Sequence, residues 1–375
     1  METIWWNQIT SARNFIEQII YSLCSSKNVV LTLPYWVPWY KTFCSIIDTE
    51  LCKRSPEYKL EFLYCPEQEP GKYPFDNYCQ KDKRAHYRPI EPFSHFLAKN
   101  EDISLNHRYL WIKDIPEKRF PEWIKFVSEY KRASSCSASA SFILEKKNGT
   151  LNRKEGKVFI QFDLSDWIDP YDCYTFCALA GSKINIPSCY RPYLAEVLSC
   201  VCGRDAEFCA ACLKEWDTFL DNPVGVLQEI QNRERKETGT SFFLDPQKDS
   251  IYSKLWQAQL KQLFPVIEQY RLGFIQQHSE QLAEASDNQN TDAQSDMELR
   301  DLCKLYHNGT LKLPREEYTE LDFFRKSRNS LAHLTPLPSK EVRHILNACQ
   351  ENENGFRSEE RRVGKECRSR WSPYH

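Results

Sequence analysis

Between Val29 and Phe162 the chain carries five short runs of mainly apolar, β-branched and aromatic residues: Val29–Leu33, Lys59–Cys65, Arg108–Ile115, Ala140–Glu145 and Lys157–Phe162. Runs that hardly alternate with polar residues suit strands covered on both faces, the situation of a parallel sheet. The segments between them repeat apolar residues at helical spacing. Phe15, Ile16, Ile19, Ile20 and Leu23 mark a helix before the first run, and Val37, Tyr40, Phe43, Ile47 and Leu51 mark one after it. Further helices are expected at Phe93–Ala98 and Phe120–Arg132. Such alternation predicts an α/β domain with a mainly parallel sheet and flanking helices. Pro66–Pro92, with five prolines and the basic cluster Lys81–Arg84, reads as a long irregular loop.

The order of these elements resembles the core of P-loop ATPases of the AAA+ or STAND type, over roughly the first 165 residues. Where those enzymes carry G-x-x-x-x-G-K-[ST], this chain has Pro34-Tyr-Trp-Val-Pro-Trp-Tyr-Lys41. No glycine lets backbone amides cradle phosphates, and no Lys-Ser/Thr pair serves phosphate and magnesium. ATP hydrolysis by that mechanism is therefore not expected. Asp114, at the end of an apolar strand, resembles a Walker B aspartate, although a single acidic residue at a strand end is more often a cap or a surface charge.

From Pro170 the pattern turns helical, with segments at Tyr171–Ala180, Pro187–Cys202, Asp205–Leu220 and Val224–Arg235. The expected division is 1–168 for the α/β domain without a phosphate loop, 169–236 for a lid-like helical subdomain, 237–249 for a linker and 250–356 for a helical C-terminal domain. Within the lid-like part, Cys200-Val-Cys202 and Cys209-Ala-Ala-Cys212 offer four thiolates for a tetrahedral zinc site. Leu198, Val201, Phe208 and Leu213 continue a helical apolar pattern around them, which makes buried core thiols the better reading, so no metal is assigned. The C-terminal domain opens with an amphipathic helix through Leu255–Arg271, with Pro265 as a kink point. Helices at Met297–Tyr306, Arg315–Leu334 and Ser339–Cys349 follow.

In the last of these regions stands Arg328-Asn329-Ser-Leu-Ala-His333, followed by Pro336 and Pro338. The pattern resembles the signature of HEPN-type helical domains, whose active members cut RNA without metal. That resemblance implies His333 as general acid or base, Arg328 stabilising phosphate charge and Asn329 orienting it, at a composite site across a symmetric dimer. The same residues also suit a polar clasp closing the end of a helix, with the domain serving dimerisation or binding.

Lys and Arg total 50 against 52 Asp and Glu, a net charge of −2, which gives no support to a general nucleic-acid binder. The basic loop at Lys81–Arg84 and Arg88, interleaved with Tyr73, Phe75, Tyr78 and Tyr87, offers RNA a stacking surface or is a solvated loop. The 16 cysteines lie scattered through apolar stretches and read as free thiols of a reducing compartment. No apolar run is long enough for a membrane helix, so the expectation is a cytoplasmic protein with no membrane or DNA role and no cofactor. Arg357–His375 resembles translated sequencing-adapter read-through. Without it, 44 basic residues face 49 acidic ones.

Together these features favour an interaction or assembly subunit without ATPase activity, in an arrangement resembling bacterial conflict and phage-defence proteins. Its partners would be other proteins or a second copy, held through the C-terminal helical domain, with RNA as a further candidate. The alternative is a metal-independent HEPN-type endoribonuclease using Arg328 and His333.

Overall fold

The computed structural model describes residues 1–99, 105–136, 138–147, 158–237, 239–242, 248–285 and 296–348. Cys349, the expected end of the last helix, and the adapter-like segment lie outside them. The chain forms two compact units, one of Met1–Asp172 with Lys236–Thr238, the other of Cys173–Arg235 with the residues from Gly239 onward.

In the first unit all five apolar runs are strands: β1 (Asn28–Leu33), β2 (Lys59–Tyr64), β3 (Arg108–Lys113), β4 (Ser141–Lys147) and β5 (Phe159–Asp163). They form one sheet in the order β2-β3-β4-β1-β5, and every neighbouring pair is parallel. Successive side chains of a strand point to opposite faces, and both faces are covered here. On one, Val30, Leu110, Ile112, Phe142 and Leu144 pack with Trp123, Phe126 and Tyr130 of the helix Phe120–Ala133. On the other, Trp111 meets Phe43 edge-on at 5.8 Å, and Phe43 stacks on Phe15 at 6.0 Å. Phe15 belongs to the helix Thr10–Cys24 and Phe43 to the helix Tyr40–Arg54.

The stretch from Pro66 to Pro92, expected to be irregular, contains two short helices, Lys72–Tyr78 and Lys81–Arg84. Aromatic packing explains the first of them. Phe75 is buried against Tyr87, Phe93 and Phe96, and Tyr87 stacks on Phe93 at 4.6 Å.

The second unit is helical. Its longest helix, Lys248–Gln277, runs through Pro265 and packs against Arg191–Cys202 and Arg315–Ala332. Tyr270 stacks on Phe324 at 3.8 Å, and Tyr306 of the helix Leu299–His307 stacks on Tyr318 at 4.0 Å. Residues 339–348 are helical and bury Val342, Ile345 and Leu346. Where the sequence predicts one helix over Asp205–Leu220, there are two, Ala206–Lys214 and Trp216–Asp221, parted at Glu215. Asp205 caps the first by accepting from the Phe208 N–H, and it is held by the buried Arg235. Arg235 also pairs with Glu207 at 3.1 Å and lies over the Phe242 ring, which anchors the chain leaving the helix Pro223–Gln231.

Candidate functional site at the carboxyl edge of the sheet

The chain leaves β1 toward the far edge strand β2, and leaves β4 in the opposite direction toward β5. In open parallel sheets the crevice beyond the carboxyl ends of such strands is where ligands bind. At this edge, over the ends of β2, β3 and β4, lies a cavity of about 510 Å³, lined by Tyr40, Lys41, Cys44, Ser45 and Asp48 from the helix after β1, by Phe62 and Tyr64 of β2, and by Lys113, Asp114, Lys147 and Glu237.

Two side chains at this edge are buried and charged in type. Glu145 of β4 is 1% exposed, and its Oε2 accepts hydrogen bonds from Tyr40 Oη at 2.6 Å and Trp111 Nε1 at 2.8 Å. Burial holds the Glu145 carboxyl above the usual glutamate range, although both donors and Lys113 favour its ionised form. Desolvation and the neighbouring Glu145 charge push the Tyr40 hydroxyl up, so it stays a donor. Lys113, the last residue of β3, is 9% exposed. Its Nζ lies 3.4 Å from Cys44 Sγ and within 4.3–5.5 Å of the Phe62, Tyr40 and Trp111 ring centres. This is a cation–π cage around the chain's own ammonium.

The two residues that turn the chain at this edge are strained. Trp39, before the helix Tyr40–Arg54, and Asp114, after β3, have φ of 47° and 53°, where side chains other than glycine crowd the backbone. Such conformations collect at functional sites and cost about 1–3 kcal/mol each. Asp114, the Walker B-like residue, forms an ion pair with Lys147 at 2.8 Å. The N–H of Lys41, in the first turn of the helix, donates to the Glu237 carboxylate at 2.7 Å. The Trp39 side chain makes no capping hydrogen bond there.

Of the four thiols weighed for a zinc site, Cys202 meets Cys209 and Cys212 through hydrogen bonds, and Cys200 does not join them. Cys202, Cys209 and Cys212 are buried, whereas Cys200 turns to Glu196, its Sγ 3.6 Å from Oε1. Positions two apart on a helix lie roughly 200° around its axis, so Cys200 and Cys202 face different ways. Cys209 instead meets Cys173 and Cys177 from the helix Pro170–Lys183, and hydrogen bonds with these thiols and Cys202 push its own well above the ordinary range. Among the described residues no group of three or more His, Cys, Asp or Glu is arranged to hold a metal.

Arg328 and His333 sit at the end of the helix Arg315–Ala332, with His333 as its C-cap. Arg328 pairs with Glu298 at 3.3 Å and lies 6.0 Å from the Phe264 ring centre. Asn329 is half-buried and its carbonyl accepts the His333 N–H, while the His333 side chain is exposed. The clasp at this helix end is made elsewhere. Trp256 Nε1 donates to the Leu331 carbonyl at 2.7 Å. Gln259 grips Leu337 from both sides, accepting its N–H at 2.6 Å and donating to its carbonyl at 3.1 Å.

The aromatic residues of the basic loop are likewise engaged in packing. Phe75 and Tyr87 belong to the cluster described above, and Tyr78 donates to Glu61 at 2.5 Å.

No family model and no curated protein matches this sequence. Among solved structures the chain is similar to a point variant of Thermotoga maritima RuvB, at 11% identity and a TM-score of 0.33, over 66% of this chain and 76% of that one. It is also similar to a chain of Drosophila ORC bound to DNA, at 11% identity and a TM-score of 0.33, over 89% of this chain and 86% of that one.

Sequence reasoning pointed to Asp114 but missed Lys113, Glu145 and Glu237. A glutamate inside the apolar run Ser-Phe-Ile-Leu-Glu145 was the available signal, since strands of a covered parallel sheet rarely carry one without a partner.

Proposed function

We propose that the chain is a protein-interaction or assembly subunit built on an AAA+-like α/β core that does not turn over ATP. One observation carries this reading: the place of a phosphate loop is filled from within. Pro34–Trp39 replaces the glycines, the Glu237 carboxylate takes the Lys41 N–H, and Lys147 neutralises Asp114. A magnesium triphosphate would meet two carboxylates already committed and no amide cradle. The open edge strand supports a role in association. β2 leaves Phe62 and Tyr64 exposed, and uncovered edges invite pairing.

The decisive experiment measures ATP hydrolysis by the full chain with Mg²⁺, beside sedimentation velocity over a hundredfold range of concentration. The expected result is no turnover, together with self-association or a stable complex with a co-purifying protein. ATP turnover abolished by Asp114→Asn would overturn the reading.

The ribonuclease alternative assigns roles to Arg328 and His333. It is less well supported, because Arg328 is engaged by Glu298 and the His333 backbone closes a helix.

A further inference from the structure

Tyr193 carries a hydrogen-bond donor that the fold leaves unused. The residue belongs to the helix Arg191–Cys202 and is 5% exposed. Its Oη accepts a hydrogen bond from Gln259 Nε2 at 3.3 Å. The Gln259 amide cannot turn round to accept in exchange, because Leu337 fixes both its ends. The Leu337 N–H donates to Oε1 at 2.6 Å, and the Leu337 carbonyl accepts from Nε2 at 3.1 Å. Among the described residues nothing accepts the Tyr193 O–H. Burial pushes this hydroxyl up to about 12, so it keeps its proton. A buried donor that lacks an acceptor is destabilising, and native folds keep few of them.

The same three residues, Tyr193, Gln259 and Leu337, line a cavity of about 380 Å³ that lies wholly within the second unit. Small-molecule pockets span roughly 300–1,000 Å³, so this one suits a small ligand. Most of its walls are apolar, among them Leu220, Val224, Leu255, Pro336 and Val342, and the half-exposed Tyr252 ring joins them. Pro336 and Pro338 have no N–H of their own, and Gln259 holds Leu337 between them, which fixes that wall. Among the described residues Asp221 is the only charged one in the lining, and its carboxylate pairs with Arg343 at 3.0 Å. Asn222 is spent on the Gly225 N–H, and Ser339 adds a half-buried hydroxyl. An ion would therefore find no free counter-charge here, whereas a neutral acceptor finds Tyr193.

We propose that this cavity binds a small, uncharged, planar molecule carrying a carbonyl oxygen, of the aryl ketone type. The oxygen accepts the Tyr193 O–H, and the apolar body lies among Leu255, Val342 and the Tyr252 ring. Such a ligand completes the row of hydrogen bonds from Leu337 through Gln259 to Tyr193, which the fold leaves open at one end. This inference is independent of the assembly reading, which concerns ATP turnover and association.

The test compares acetophenone with α-methylstyrene, which has the same planar shape but a CH₂ group where the ketone has its oxygen. Each is titrated into the full chain up to its solubility limit and followed by saturation-transfer NMR. Three proteins are compared: the parent chain, Tyr193→Phe and Val224→Trp. The parent is expected to bind acetophenone about fivefold more tightly than α-methylstyrene, the size of one neutral hydrogen bond. Tyr193→Phe, which keeps the ring and removes the hydroxyl, is expected to bind the two equally. Val224→Trp, which fills the cavity from a half-buried position, is expected to bind neither. Failure of the parent to bind acetophenone, or to prefer it, would overturn the proposal. So would a preference for the ketone that persists in Tyr193→Phe, or acetophenone binding that survives Val224→Trp. Because Tyr193→Phe removes a single oxygen, that variant decides the matter even if Val224→Trp does not fold.

Discussion

Glu145 carries a pH signature of its own at the residue scale. Burial raises its carboxyl pKa above the ordinary 4.5, so between that value and the raised one the folded chain holds a proton that the unfolded chain has lost. Stability rises with pH only where the unfolded state binds more protons, and here the folded state binds more. The Glu145 contribution is therefore fully present below the unfolded pKa and is lost as pH rises through the folded one. Glu145→Gln keeps a carbonyl oxygen for the Tyr40 and Trp111 donors and removes the ionisation. Its stability relative to the parent is expected to improve as pH rises above the ordinary 4.5 and to level off once pH has passed the raised folded value, read as urea midpoints. Parallel pH profiles for the two proteins would show that the carboxyl ionises in the fold as freely as in water.

At the scale of elements, Pro265 occupies the interior of the helix Lys248–Gln277, exposed to solvent and without a donor for the Lys261 carbonyl. Proline in a helix interior is roughly 3 kcal/mol less favourable than alanine. Since this side chain contributes little packing, Pro265→Ala is expected to stabilise the second unit by about 1–3 kcal/mol, measured by urea denaturation. No gain would mean that the helix bends at Pro265 for a reason the neighbours enforce.

The strands were legible because burial on both faces leaves apolar runs, and β1 is buried at all six positions. The helices Lys72–Tyr78 and Lys81–Arg84 were not, since the first is fixed by Phe75 meeting Tyr87 and Phe96, distant in sequence, and the second offers only four residues. The break at Glu215 carried no proline or glycine to announce it. Site residues were hidden for a similar reason. Lys113 at a strand end reads as solvated until Phe62 and Tyr40 are brought around it, and Glu237 belongs to what sequence alone marks as a linker.

For the molecule as a whole, charge and the fate of the aromatics decide how it meets nucleic acid. With 50 basic and 52 acidic residues, the long-range field gives a phosphate backbone little attraction. Stacking cannot compensate at the basic loop, where Phe75 is buried and Tyr87 lies face to face with Phe93. Arg328, the cation of the HEPN-like pattern, is balanced by Glu298. The full chain is therefore expected to leave labelled single-stranded RNA and tRNA unshifted on native gels at about 0.15 M salt, where exposed charges are screened beyond roughly 8 Å. Without divalent metal the RNA should stay uncut, and Arg328→Ala and His333→Ala should behave like the parent. Cleavage that leaves 2′,3′-cyclic phosphate ends and disappears in both folded variants would reverse this, because it requires the His333 imidazole and the Arg328 guanidinium at one phosphate. The Arg328–Glu298 pair would then have to open when RNA binds, and Glu298→Gln should raise the cleavage rate.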